Sequence, residues 1–177
     1  MKKSILIFVA IVLMAGFSTT VLAQSTVTGT TAGAKIITPI SLTETAVLNF
    51  GTMSVLAGTP GTCLLSTAGV RTQTGGVNLS VQAPAAANAA YSVGGAVSTA
   101  YAITLPSTIT VTKAVTLETM TIGTLLAHTV SSGVDGLTGT LSVGGTDSFT
   151  VGGTLSVAAG QVAGTYTGTF DVTVAYN

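Results

Sequence analysis

The chain is 177 residues long, 6% of its residues are charged, and its formal net charge is zero. This length suits one domain with a sizeable core. So few charges cannot create the basic surface that nucleic-acid binding requires, and we therefore expect no nucleic-acid partner.

The N-terminus has the three parts of a secretory signal peptide. Two lysines follow the first Met, residues 4–17 form an apolar run, and small side chains precede Gln24. A transmembrane anchor is the alternative, but this run is about 14 residues long, whereas a helix needs roughly 20 to span a bilayer. We therefore predict a signal peptide over residues 1–23 and cleavage between Ala23 and Gln24. The mature protein is then secreted to the periplasm, the cell surface or the exterior, with no stable membrane span.

The remaining chain divides into a short extension and one domain. Residues 24–34 (QSTVTGTTAGA) predict a flexible N-terminal extension, and residues 35–177 predict a β domain. The 34 threonines favour strands because β-branched side chains fit a pleated surface, and the 22 glycines favour turns. The predicted strands lie near residues 35–43, 46–55, 62–66, 76–82, 90–94, 99–105, 107–112, 115–122, 137–143, 148–157 and 164–176.

Apolar and polar residues alternate along several of these segments. Tyr101 and Ile103 share one face of their segment, and Leu141 and Val143 share one face of theirs. Alternation of this kind is typical of antiparallel sheets with one buried face, and Gly-rich turns between short strands favour a sandwich. We predict a single antiparallel β-sandwich, immunoglobulin-like, with no helix after Gln24. Its predicted inward side chains are Tyr101, Ile103, Leu141, Val143, Phe170, Val172 and Val174.

The last predicted strand, residues 164–176, has the clearest alternation in the chain. Its apolar face ends on the penultimate residue, Tyr176, and its other face is mostly threonine. So regular a strand predicts a central position in the sheet. The residues on the apolar face are Tyr166, Gly168, Phe170, Val172, Val174 and Tyr176.

The sequence offers few groups for chemistry. His128 is the one histidine, and without an acid close to it in sequence it predicts a surface or hydrogen-bonded histidine instead of a catalytic base. Cys63 is the one cysteine; we expect a buried side chain, with an intermolecular disulfide as the alternative. One His and one Cys cannot form a tetrahedral zinc site, and the five acids are isolated. We predict no catalytic residue, no metal site and no cofactor, and hence no enzyme.

Several blocks of the sequence resemble a known family. Residues 35–53 (KIITPISLTETAVLNFGTM) resemble the opening of the bacterial secreted domain-of-unknown-function family 4402 (DUF4402). Residues 69–79, 101–106 and 151–177 continue its pattern in the same order. The resemblance covers nearly all of the mature chain and implies a secreted β-sandwich with no known activity.

The C-terminus also resembles the last strand of chaperone–usher pilins. Those subunits carry a penultimate aromatic residue, here Tyr176, and a glycine fourteenth from the end, here Gly164. The resemblance implies assembly by β-strand addition, with a periplasmic chaperone or another copy of the chain as partner. The chain departs from pilins in having one cysteine and, in residues 24–34, one strong hydrophobe, Val27. The assembly residues that this resemblance implies are Gly164, Tyr166, Phe170, Val172, Val174 and Tyr176.

Two functions remain open from the sequence. The first is a pilin-like structural or assembly subunit of a surface fibre (fimbrium). The second is a self-complete extracellular module that binds a glycan or a cell-wall polymer.

Overall fold

A computed structural model describes residues 25–177, and in this range the chain is all-β with no helix. The predicted signal peptide and the Ala23–Gln24 cleavage site lie outside the described residues. The chain divides into two units, Met1–Ile36 and Ile37–Asn177. The described part of the first unit, residues 25–36, has exposed side chains and no strand. Among the described residues, none forms a helix long and apolar enough to cross a lipid bilayer.

The second unit contains all the strands of the described chain. Their bounds are β1 (Ser41–Ala46), β2 (Met53–Val55), β3 (Gly61–Leu65), β4 (Arg71–Gly75), β5 (Val77–Leu79), β6 (Ala89–Gly94), β7 (Ala100–Thr104), β8 (Thr108–Lys113), β9 (Thr119–Thr129), β10 (Thr138–Thr140), β11 (Thr146–Val157), β12 (Tyr166–Thr167) and β13 (Thr173–Tyr176).

The strands form one large and two small sheets, in which every pairing is antiparallel. The large sheet has eight strands in the order β1-β6-β11-β9-β8-β12, and β3 pairs both with β11 and with β4. Along one edge of β11, the first half pairs with β6 and the second half pairs with β3. Along the opposite edge, β11 pairs with β9. The small sheets are β10-β7-β13 and β2-β5. The two longest strands, β9 and β11, are therefore the centre of the molecule.

A bulge in β9 keeps apolar side chains on the inner face of the large sheet. Thr124 has a φ of 50°, and the register between β9 and β11 shifts at this point. The extra residue changes the parity of the strand, so both Ile122 and Ala127 are buried although their spacing is odd. A uniform alternation would have turned one of them to solvent.

Two clusters of buried side chains lie on this inner face. The β10-β7-β13 sheet covers one half of the face, where Tyr101, Ile103 and Leu141 meet Tyr91 and Phe149. The β2-β5 sheet covers the other half. The buried members of the second cluster are Phe50, Cys63, Leu65, Val77, Ile109, Ile122, Leu155 and Val157.

These positions confirm the predicted class, an antiparallel all-β fold, and most of the predicted facing. Tyr101, Ile103 and Leu141 are at most 3% exposed. Val143, however, is 89% exposed, so its predicted burial is wrong. The strand has already ended at this point: Gly145 donates its backbone N–H to the Ser142 carbonyl, which makes Val143 part of a turn.

Candidate functional site

The C-terminal segment, residues 164–176, differs from the predicted single central strand. It forms two short strands at sheet edges, β12 beside β8 and β13 beside β7. From the pair Thr167–Thr112 to the pair Thr173–Thr104, the C-terminal segment covers six residues. Its partner, which runs from β8 back to β7, covers eight. Pro106 lies in this stretch of the partner and has no N–H for a ladder, so the partner strand changes sheet here.

The predicted facing of the C-terminal segment is confirmed in its alternation. The threonines, Gly168 and Asp171 are exposed, whereas the large residues of the predicted apolar face are half-buried: Tyr166, Phe170, Val172, Val174 and Tyr176. Phe170 contacts both core clusters, while Val172, Val174 and Tyr176 contact the first. Their burial is incomplete because the segment is covered from one side only.

An open groove runs between β1 and the C-terminal segment. We call it the β1 groove; its volume is about 360 Å³. In the described part of the chain, β1 pairs only with β6, β13 pairs only with β7, and residues 168–172 belong to no strand. The unpaired edge of β1 therefore bounds the groove on one side, and the strand-free residues 168–172 bound it on the other. It is lined by Leu42, Glu44, Val47, Leu48, Tyr91, Gly168, Thr169, Phe170 and Val172.

Tyr176 ties the end of the chain to the beginning of the domain. Its hydroxyl donates to the Thr38 carbonyl oxygen at 2.7 Å and accepts the Ala96 N–H at 2.6 Å. The predicted assembly residue thus has a full set of partners inside its own fold. These bonds hold the start of the domain against the last strand.

Gly164 and Tyr166 lie at the opposite end of the C-terminal segment and outside the lining of the β1 groove. Gly164 is exposed with a φ of 155°, a conformation that favours glycine, and it lies against the side chain of Lys113. The Tyr166 hydroxyl donates to the Val162 carbonyl and accepts from the Gln161 amide. The structure therefore places two of the six predicted residues, Phe170 and Val172, in the groove lining and the other four outside it.

The β1 side of the groove was not foreseen from the sequence. Glu44 stands opposite Tyr91 in the register and is the one charged residue in the groove lining. Burial, and secondarily the nearby Glu44 carboxylate, raises the pKa of Tyr91 to about 12. A sequence signal existed: Glu44 interrupts the apolar alternation of Leu42, Ala46 and Leu48.

His128 has an acidic neighbour, which the sequence did not indicate. Asp135 Oδ1 lies 3.0 Å from His128 Nδ1 and accepts a 2.9 Å hydrogen bond from the Thr67 hydroxyl. The expectation of a surface, hydrogen-bonded histidine is confirmed. The carboxylate lies between the hydroxyl and the imidazole, whereas a catalytic triad needs the imidazole in the middle.

Cys63 is fully buried in β3, as predicted. Burial raises the pKa of its thiol, an effect that the charge of Arg71 partly opposes. The alternative, an intermolecular disulfide, is wrong for this fold because no surface reaches the sulfur. Within residues 25–177 no three His, Cys, Asp or Glu side chains come together as metal ligands.

A second depression, of about 480 Å³, lies beside β3, β9 and the end of β11. Its lining contains no titratable side chain, and the strands that bound it are already paired with one another. It therefore offers neither reactive groups nor free backbone donors. The lining residues are Pro60, Gly61, Thr62, Thr119, Ser156, Val157, Ala158 and Gln161.

Comparison with known proteins identifies the family. No curated protein matches the chain. A family model described as "Domain of unknown function (DUF4402)" matches residues 40–176, from the residue before β1 to the end of β13. This match includes both walls of the β1 groove and every strand of the domain. The chain belongs to the DUF4402 family.

Proposed function

We propose that the protein is a non-catalytic, secreted surface protein, pilin-like in its assembly, that takes up a β-strand from another chain in the β1 groove. The observation that carries this proposal is the unpaired edge of β1 beside an open groove that is also lined by Phe170 and Val172. An added strand would find free backbone donors and acceptors along β1. This is the requirement of β-strand addition, whether the strand comes from another copy or from a periplasmic chaperone.

The side chains of the groove add a hydrophobic contribution. Phe170 and Val172 are half-buried, and a strand laid over them removes the rest of their apolar surface from water. Full burial of such a side chain contributes about 1.5–3 kcal/mol relative to full exposure, so each contributes a part of that amount. Unpaired apolar edges are otherwise an aggregation hazard, which occupation of the groove removes.

A second candidate function is a module that binds a hydroxyl-rich polymer such as a glycan or a cell-wall polysaccharide. It is favoured by a row of hydroxyl groups across five adjacent strands on the outer face of the large sheet. Register places these residues side by side: Thr74, Thr62, Ser156, Thr121 and Thr110. Retention of the monomeric protein on an insoluble polysaccharide, lost in a Thr121→Val variant, would support this second function.

The assembly proposal is tested by native size analysis of the mature protein purified from the cell exterior. We expect multimers for the wild type and monomers for Val172→Lys, because its ammonium group would stand in the groove among the Leu42, Leu48 and Phe170 side chains. Thr173→Lys is the matched control, since Thr173 is its exposed neighbour on the opposite face, and it should still assemble. Equal circular dichroism and melting temperature would show that both variants fold. A wild type that stays monomeric at all concentrations would contradict the proposal.

A further inference from the structure

A row of hydroxyl groups crosses the outer face of the large sheet, on the side away from the buried clusters. Register places five of these residues side by side on adjacent strands: Thr74, Thr62, Ser156, Thr121 and Thr110. Thr119 lies two positions before Thr121 in β9 and therefore points to the same side. We call these six residues the hydroxyl face. None of them lines the β1 groove, so a ligand on this face leaves the groove free.

Most hydroxyls of the hydroxyl face are available to a ligand. Thr62 is half-buried and the other five residues are exposed. Within residues 25–177, the Thr62 and Thr74 hydroxyls bond to each other at 2.7 Å, and the other four hydroxyls of the face make no hydrogen bond to the protein. A hydroxyl both donates and accepts, as the hydroxyls of a sugar do. The face is therefore complementary to a hydroxyl-rich ligand.

The hydroxyl face carries no charge. The charged residues of its strands lie on the inner side of the sheet: Arg71 is paired with Leu65 and Asp147 with Val93, both fully buried. Lys113 lies four positions after the buried Ile109 in β8, which also places it inward. A charged polymer would find no opposite charge on the face, so the ligand that fits it is neutral.

The depression beside β3, β9 and the end of β11 opens on the hydroxyl face, because Thr62, Thr119 and Ser156 belong to its lining. Its volume of about 480 Å³ is within the range of small-molecule sites, about 300–1,000 Å³. The amide nitrogen of Gln161, another lining residue, donates to the Tyr166 hydroxyl at 2.8 Å, which holds the side chain in place. Hydroxyl, amide and apolar groups are the contacts that a sugar ring makes. The apolar side chains of the lining are Pro60, Val157 and Ala158.

We propose that the hydroxyl face binds an extended, neutral, β-1,4-linked glycan that lies across the strands, with one sugar ring in the depression between Ser156 and Gln161. The inference rests on the second candidate function and names its ligand class and its site. Adjacent strands are about 4.8 Å apart, which is close to the length of one ring in such a chain, so each successive ring meets the hydroxyl of another strand. The row spans about 19 Å and has room for four or five rings.

Sheet twist favours a single chain over a flat lattice such as ice. Adjacent strands are rotated by about 20–25° relative to each other, so the row turns by about 80–100° from β4 to β8. The glycosidic bonds of one chain can rotate to follow this turn. A rigid lattice plane, in contrast, would contact two or three strands at most. We therefore expect binding of soluble oligosaccharides and no effect on the growth of ice.

The test is isothermal titration calorimetry of the full mature chain with two neutral β-1,4-linked probes, cellopentaose and chitopentaose. At least one of them should bind. Thr121→Val in the row and Ser156→Ala at the depression should each raise the dissociation constant about three- to tenfold, the usual effect of one lost hydrogen bond. Thr173→Val is the matched control: Thr173 is exposed on β13, outside the hydroxyl face, and its replacement should leave the constant unchanged.

The outcomes separate this inference from the function on which it rests. If neither probe binds, but an insoluble polysaccharide still retains the wild type and not Thr121→Val, the ligand class is wrong and the second candidate function stands. If Thr121→Val weakens binding of a probe and Ser156→Ala does not, the ring in the depression is wrong. Inhibition of ice recrystallisation without binding of either probe would overturn the inference in favour of a lattice ligand. If the polysaccharide does not retain the protein and neither probe binds, the second candidate function fails as well.

Discussion

At the residue scale, Tyr176 shows how a predicted assembly residue can have a structural role in its own fold. Its hydroxyl bridges Thr38 and Ala96, so any change of this side chain weakens the domain, whether or not a partner binds the last strand. Loss of assembly after Tyr176→Ala would therefore be ambiguous. Val172 is the better probe because it contacts the core only in part and lines the groove.

The buried tyrosines predict how stability depends on alkaline pH. Burial raises the pKa of Tyr91 from 10 to about 12. Burial and the hydrogen bond to Asp147 also raise the pKa of Tyr101. Because the folded state favours the neutral phenol, this contribution is complete below pH 10 and is lost as the pH rises through the raised pKa.

We therefore expect the free energy of unfolding to fall between about pH 10 and pH 12, and to fall less steeply in Tyr91→Phe. Urea denaturation at closely spaced pH values measures this slope. Phenylalanine keeps the stacked contact with Phe149, whose ring centroid is 5.0 Å away, so the variant should fold normally at pH 7. Identical slopes in the wild type and the variant would show that Tyr91 does not contribute.

At the scale of elements, the C-terminal segment depends on a close approach of two backbones. Gly168 follows β12, and a methyl group there would overlap the Thr110 carbonyl oxygen of β8 and crowd Val111. A glycine is therefore required if the segment is to leave β8 and reach β13 with Phe170 turned inward.

Gly168→Ala should destabilise the domain by about 1–3 kcal/mol, the usual effect of overpacking. Gly123→Ala is the control, because Gly123 lies in β9 with open space around its Cα, and alanine there should be neutral or stabilising by up to about 1 kcal/mol. Thermal or chemical denaturation measures both. Equal stability of the two variants would contradict the close packing of the segment on β8.

At the scale of the whole molecule, the fold leaves strand edges unpaired, and the chain has few charged residues to prevent other strands from pairing with them. Charged residues at sheet edges normally prevent unwanted pairing, but only 6% of the residues in this chain are charged. Secretion, which residues 1–23 predict, would bring these open edges to a compartment outside the cytoplasm.

Secretion is tested directly by N-terminal sequencing of the exported protein. We expect the sequence to begin at Gln24 or within a few residues of it, because the residues before the predicted cleavage site have the small side chains that signal peptidase needs. Ala23→Leu should slow or shift the cleavage. A mature protein that keeps residues 1–23 would contradict the prediction.

Much of the fold could be predicted from the sequence where local pattern decides the structure. β11 was predicted at 148–157 and is found at Thr146–Val157, because its alternation is uninterrupted on the inner face. β9 was predicted to end at residue 122 and extends to Thr129, because the bulge at Thr124 breaks the parity on which the prediction depended. The predicted burial of Val143 is wrong for a related reason, because alternation alone does not show where a strand ends and a turn begins.

The sequence by itself determined the antiparallel all-β class, the burial of Cys63 and the apolar face of the C-terminal segment, because strand periodicity and burial follow from neighbouring residues. Only the tertiary structure decided where that segment lies. Pairing depends on residues far apart in the chain: Pro106 splits the partner strand, and β1 comes to lie across a groove from Phe170 and Val172. The open edge of β1 and the groove beside it arise from this long-range pairing, which no local sequence pattern predicts.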